Sequence, residues 1–151
     1  MVKYRSIVSV LLATVVAVLM LFGNPVAEAR TVKTPTYTSE QLEQIQSYAS
    51  ELSAIRDRLP ELGDLIQKQD WVFTRNFIHG PLGDFRFKML SLSRLLLPNA
   101  QAEANKLAKA VFDDLIAIDL AAQDRKYQPA VSSYAETLKD FDAFLQLVPK
   151  A

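Results

Sequence analysis

From Ile45 to Val148 the apolar residues recur at alternating spacings of three and four, in four runs separated by short breaks. Ile45, Tyr48, Leu52, Ile55, Leu59, Leu62 and Ile66 make the first run. The second is Ile78, Leu82, Phe85, Met89, Leu92 and Leu96. Ala108, Val111, Leu115, Ile118 and Ala122 make the third, and Val131, Tyr134, Leu138, Phe141, Leu145 and Val148 the fourth. A seven-residue period places each run on one stripe of a helix, the stripe along which helices pack lengthwise. Turns of a few residues between such helices force neighbours to run antiparallel. The pattern therefore predicts an all-α chain folded as an antiparallel up-down-up-down four-helix bundle. At 1.5 Å per residue its helices would be about 40 Å long, which makes a rod.

The ends of these helices carry their own signals. Thr38 and Gln41 have the spacing of a capping box, and Tyr37 can staple onto Leu42 ahead of a first helix over about residues 39–69. Pro60 interrupts that run without shifting its phase, so the reading is one bent helix, with a split in two as the alternative. Asp70 caps the second helix ahead of Trp71. That helix stops before Pro98, because a residue preceding proline is pushed out of the helical region. Asn99 is placed to cap the third helix. Gln128-Pro129 closes it and opens the fourth, with Pro129 at the first position, where a missing N–H costs nothing. The small residues Ala108 and Ala122 on the third stripe allow a neighbour to approach closely.

The second run holds His79-Gly80-Pro81-Leu82-Gly83, a sequence that disfavours helix: glycine costs about 1 and proline about 3 kcal/mol in a helix interior. Yet the four-three phase continues through Pro81, which predicts one kinked helix, not two. Pro81 has no N–H, so the Phe77 carbonyl should lose its donor and be offered at the bend beside His79. The bend reads either as architecture with His79 at the surface or as a docking spot for a partner protein. Trp71 reads either as a core plug or as an interface anchor. Arg86 and Arg94 flank the second stripe, where their stems can cover core edges and their guanidiniums can bind carboxylates. Asp113, Asp114 and Asp119 are expected to face water, with Asp113 in reach of Lys109 one turn back.

Residues 1–29 read as a cleaved export signal. Lys3 and Arg5 precede an uncharged run at 7–22, and Ala27-Glu28-Ala29 is a small-x-small cleavage site. That run is shorter than the roughly 20 residues of a spanning helix, and an uncleaved membrane anchor is the alternative. Residues 30–37 read as an extended arm and 38–151 as the bundle. Lysine plus arginine balance aspartate plus glutamate at 17 each, which argues against nucleic acid as a partner. The chain has no cysteine, so disulfides, thiol nucleophiles and thiolate metal sites are excluded. Its one histidine cannot supply the paired Glu-x-x-His motifs of a di-iron bundle. Nor can His79 and Met89 grip one haem iron, since ten helical residues separate them by about 15 Å. Phosphate loops, Ser-His-Asp elbows and zinc-protease motifs are missing. No enzyme, cofactor or small-molecule substrate is expected.

Three stretches carry a resemblance: WVFTRNFIHGPLGDFRFKMLSLSRLLLP, KLAKAVFDDLIAIDLAAQDR and YAETLKDFDAFLQLVP. They are similar to the PsbQ family of extrinsic photosystem II subunits in its cyanobacterial form, over about residues 38–149. The most specific matches are Trp71, residues 78–83, Arg86, Met89 and Leu96-Leu97-Pro98, followed by Asp119, Ala121-Ala122, Asp124-Arg125 and residues 140–145. The resemblance implies a non-catalytic four-helix bundle on the lumenal face of photosystem II, associated peripherally with the thylakoid membrane. There the family supports the oxygen-evolving manganese-calcium cluster, helps retain calcium and chloride without binding them, and favours the dimeric complex. The implied partners are the manganese-stabilising extrinsic protein and a core antenna chlorophyll protein. The expected docking surface is His79, Gly80, Pro81, Leu82, Gly83 and Arg86 on the second helix, with Asp124 and Arg125. Two departures stand out: Ala29 and Arg30 lie where a lipobox cysteine is usual in cyanobacterial members, and Pro60 lies where an unbroken first helix is expected. Two other functions share this fold: a free lumenal or periplasmic binding module holding an apolar ligand or metal between its helices, and a photosystem II assembly factor.

Overall fold

A computed structural model of the chain describes residues 36–150, and the expected export signal and most of the expected arm lie outside them. The described residues form five α-helices and no strand: α1 Ser39–Gln67, α2 Trp71–His79, α3 Phe85–Leu95, α4 Pro98–Gln123 and α5 Tyr127–Gln146. The start of α1 follows from the sequence. Gln41 N–H donates to Thr38 Oγ1 at 3.2 Å and Thr38 N–H donates to Gln41 Oε1 at 2.9 Å, a closed capping box. The helix then runs unbroken through Pro60, which is exposed on the water side, where a lost backbone bond is tolerated. Tyr37 is tied to the distant α3–α4 junction, where Leu97 N–H donates to its hydroxyl at 3.0 Å.

The second stripe is not one kinked helix. Helix α2 ends at His79, Gly80 leaves the helical region at φ −99°, ψ −85°, and α3 starts only at Phe85. Nor is the Phe77 carbonyl left free: Leu82 N–H donates to it at 3.3 Å, five residues on instead of four. Since Pro81 cannot donate, the next N–H takes its place and the chain gains a residue, then turns again through Gly83 N–H to Gly80 O at 2.9 Å. The inward set survives the break. Leu82, Phe85, Met89, Leu92 and Leu96 are all buried.

Two helix boundaries also differ from the sequence reading. Helix α4 begins at Pro98, not after an Asn99 cap: proline takes the first position, its missing N–H costs nothing, and Leu97 is the capping residue with no side-chain bond. Helix α4 closes at Gln123 and α5 opens at Tyr127, so Pro129 falls at the third position of α5, still within the turn whose N–H groups lack helical partners.

Helix α1 packs against α2, α3 and α5, and α4 packs against the same three, with the α4–α5 contact the most extensive. Tight α4–α5 packing follows from small residues: Ala104, Ala108, Ala121 and Ala122 are all buried on α4, as is Ala130 on α5. Phe85 fills the centre, edge-on to Phe141 with centroids 4.7 Å apart and to Phe112 at 5.8 Å. The fourth stripe is turned relative to its expected phase: Ala130, Thr137, Phe141 and Phe144 are buried, while Val131, Leu138 and Leu145 flank them half-buried. The buried hydroxyls of Thr74, Ser93 and Thr137 each donate to a carbonyl four residues back, in their own helix for Ser93 and Thr137 and at the Asp70 cap of α2 for Thr74. Among the described residues no buried side-chain polar atom lacks a partner, and no helix is long and apolar enough to cross a membrane.

Candidate functional site

His79 is the last residue of α2, its ring 65% exposed, with Nε2 2.9 Å from Asp119 Oδ1 on α4. Arg75, one turn earlier, donates through Nε to that same oxygen at 3.0 Å. Asp119 does not face water as expected. Its side chain is 17% exposed and fixes the end of α2 against α4. Gly80 and Gly83 hold the turn because its backbone folds on itself: a Cβ on Gly80 would lie 2.9 Å from Asn76 O, and one on Gly83 3.1 Å from Gly80 O. Pro81 and Gly83 are exposed, whereas Leu82 points into the core. Arg86 covers a core edge, its guanidinium carbon 5.4 Å from the Phe112 ring centroid.

Of the eight expected docking residues, His79, Leu82, Gly83, Arg86 and Arg125 line two concavities that meet at His79, while Gly80, Pro81 and Asp124 line neither. On one side an open groove of about 370 Å³ runs along α4, lined by His79, Leu82, Gly83 and Arg86 with Phe112, Ile116 and Leu120. Ile116 and Leu120 are each 56% exposed. They lie four residues apart, off the third stripe, and spacing alone gave no reason to pick them out. On the other side a cleft of about 1040 Å³ is lined by His79 and Arg125 with Lys68, Gln69, Trp71 and Arg75. Trp71 packs partly on the core and also lines this cleft. Asp124 caps the end of α4 and is paired with Lys126 at 2.8 Å.

Electrostatics elsewhere is structural. Arg56 grips Asp142 with both Nε and Nη2, at 2.6 and 2.9 Å, which holds the carboxyl below and the guanidinium above their ordinary pKa values. Lys88 bridges Asp84 at 2.7 Å and Glu51 at 3.0 Å, and its hydrogen bond lowers the Asp84 pKa. Burial raises the Asp114 pKa, and Asp140, Glu136 and Asp113 add to the rise. Asp113 pairs with Lys109 as its spacing predicts. No group of three histidine, aspartate or glutamate side chains among the described residues is disposed to hold a metal ion.

Two comparisons with known proteins bear on this arrangement. The model of the PsbQ family, described as oxygen evolving enhancer protein 3, matches residues 5–149. The chain is also 42% identical over 150 residues to a protein named CyanoQ from Synechocystis sp., a match covering 99% of this chain and 98% of that one.

Proposed function

The chain belongs to the PsbQ family, and from that premise we propose that it is a non-catalytic extrinsic subunit of photosystem II, held on the lumenal face of the thylakoid membrane. In this reading residues 1–29 are removed on export, residues 30–37 form an arm, and residues 38–151 are the working domain. Docked beside the manganese-stabilising protein and a core antenna chlorophyll protein, the domain supports the manganese-calcium cluster, the retention of calcium and chloride, and the dimeric complex. With no lipobox cysteine, its retention rests on contacts with protein.

The domain in this reading is an up-down-up-down four-helix bundle in which α2 and α3 together make the second helix. Contacts of opposite sense favour it. Tyr37 meets Leu97, Glu51 meets Lys88 and Arg58 stacks on Phe77. Likewise Gln46 meets Pro149, Arg56 meets Asp142 and Leu59 meets Tyr134.

The observation that carries the function is the match to CyanoQ over nearly the full length of both chains. The geometry is compatible with it: side chains fill the interior, and both concave features lie at the surface around His79. The surface of His79, Gly80, Pro81, Leu82, Gly83 and Arg86, with Asp124 and Arg125, is where docking is proposed. The test is co-purification. The protein should travel with photosystem II through detergent solubilisation and be released by high salt, which screens exposed charge pairs. Recovery only in fractions free of photosystem II refutes the reading, and presence only on immature complexes makes the protein an assembly factor.

A further inference from the structure

Two residues other than glycine have positive φ among those described: Gln69 at 54° and Arg125 at 56°. Each sits just past the end of a helix, α1 or α4, in the same hydrogen-bonded arrangement. Gln69 N–H donates to Ile66 O and Asp70 N–H to Leu65 O; Arg125 N–H donates to Ala122 O and Lys126 N–H to Ala121 O. This is the Schellman ending, whose left-handed residue is usually glycine because a Cβ is strained there. Both strained residues line one cleft, the one beside Trp71. Glutamine and arginine thus occupy two positions where glycine would make a more stable fold, both in the lining of the same concavity.

The charge of that cleft is one-sided. Lys68, Arg75 and Arg125 line it against one carboxylate, Asp70, whose side chain accepts from Phe73 N–H to cap α2. Neither Lys68 nor Arg125 joins an ion pair among the described residues, and Arg75 uses only its Nε on Asp119. The neighbouring Asp124 is neutralised by Lys126. Apolar surface adjoins the cations: Val72, 68% exposed, lines the cleft with Trp71.

We propose that this cleft recognises an acidic segment of a partner protein, its carboxylates taken by Arg125, Lys68 and Arg75 and an apolar residue laid against Trp71 and Val72. Arginine forks match carboxylates bidentately. A single small anion calls for converging donors, whereas these cations come from three elements around a cleft of about 1040 Å³, a spacing suited to an extended chain. The proposal rests on the extrinsic-subunit reading and locates its electrostatic contact at the α1–α2 and α4–α5 turns.

The experiment adds wild type and variants back to photosystem II stripped by salt, and measures affinity at low and high salt together with the melting temperature. Arg125→Gly relieves the strained position, so it should melt higher by roughly 3–6 °C. The same variant should bind roughly tenfold more weakly at low salt, with a shallower salt dependence. Gln69→Gly should melt higher by a similar amount with a smaller loss of affinity, and Lys68→Gln should weaken binding without raising the melting temperature. Arg125→Gly binding as tightly as wild type overturns the proposal. So does a loss seen with vesicles of anionic lipid but not with delipidated complex, because the partner is then a membrane. Failure of wild type itself to rebind sinks the extrinsic-subunit reading instead.

Discussion

Replacing Gly63 by alanine sets two effects of similar size against each other, and the structure decides between them. Gly63 lies inside α1, and alanine is favoured over glycine in a helix interior by about 1 kcal/mol. Here, however, the Tyr134 ring of α5 rests directly on the glycine. An added Cβ would lie 2.7, 2.8 and 3.0 Å from its Oη, Cζ and Cε1. That ring is anchored, because its hydroxyl donates to Leu59 O at 3.1 Å, and its burial raises the phenol pKa. To reach ordinary contact, which begins at 3.4 Å, the ring must retreat by roughly 0.7 Å against a close-packed interior. Overpacking costs about 1–3 kcal/mol and the weakened hydrogen bond about 1 more. The net expectation for Gly63→Ala is a loss of roughly 1–3 kcal/mol, read as a lower urea midpoint at unchanged slope. In a Tyr134→Ala background the obstacle is gone and the same change should stabilise by about 1 kcal/mol. Equal stabilisation in both backgrounds would mean that the helices do not meet there as described.

Phe85→Ala removes a fully buried ring and with it the edge-on contacts to Phe112 and Phe141, and should cost about 3–5 kcal/mol in urea denaturation. Pro81→Ala restores an N–H that could reach Phe77 O, but Gly80 and Gly83 still disfavour helix by about 2 kcal/mol together. Helicity by far-UV circular dichroism should therefore stay at the wild-type value; a gain of a helical turn would show that Pro81 alone holds the break. Asp142 and Asp84 have lowered pKa values, so they stabilise the fold above the ordinary aspartate pKa of about 3.9. That contribution is lost as pH falls from the ordinary aspartate pKa through their lower folded values, and across that window melts of Asp142→Asn should be less sensitive to acid than those of wild type. Asp114 has the opposite sign. Its raised pKa means that ionisation opposes folding, so Asp114→Asn should melt higher than wild type at neutral pH and converge with it in acid.

Spacing made the first and third stripes legible because every residue on them but the half-buried Tyr48 does what periodicity assumes. Ile45, Leu52, Ile55, Leu59, Leu62 and Ile66 all turn inward, as do Ala108, Val111, Leu115, Ile118 and Ala122. Over the second stripe the same periodicity named the inward residues and missed the break, since phase records which side faces the core, not whether the hydrogen-bond ladder is continuous. In the fourth, Thr137 is buried because its hydroxyl is satisfied inside its own helix, which hydropathy cannot register. The site was legible only at its turn. Glycine and proline mark His79–Gly83 in any reading, but Asp119 meets Arg75 and His79 across 44 and 40 residues, and no local spacing rule reaches that far. The left-handed backbone of Gln69 and Arg125 was hidden for a related reason: helix ends marked by glycine can be read from sequence, and these two are marked by their absence.

The two ends of the described helical domain are built differently, and the difference bears on the docking proposed above. At one end the chain is stitched down: the capping box closes α1, Leu97 N–H reaches Tyr37, and Gln46 Nε2 donates to Pro149 O at 2.7 Å. Those are neutral bonds that spend the polar groups within the fold. At the other end, two helices stop on residues that strain the backbone, and the cations around them are left largely to solvent. Glycine at both stops would make the fold more stable and would cost no core contact, since Gln69 and Arg125 are both exposed. Retaining arginine and glutamine there is an expense in stability of about 1 kcal/mol per position, the kind of local strain that collects where a surface is used. That contrast is what the proposed docking at the strained end predicts: substitutions at the stitched end should change stability and leave binding to photosystem II as in wild type.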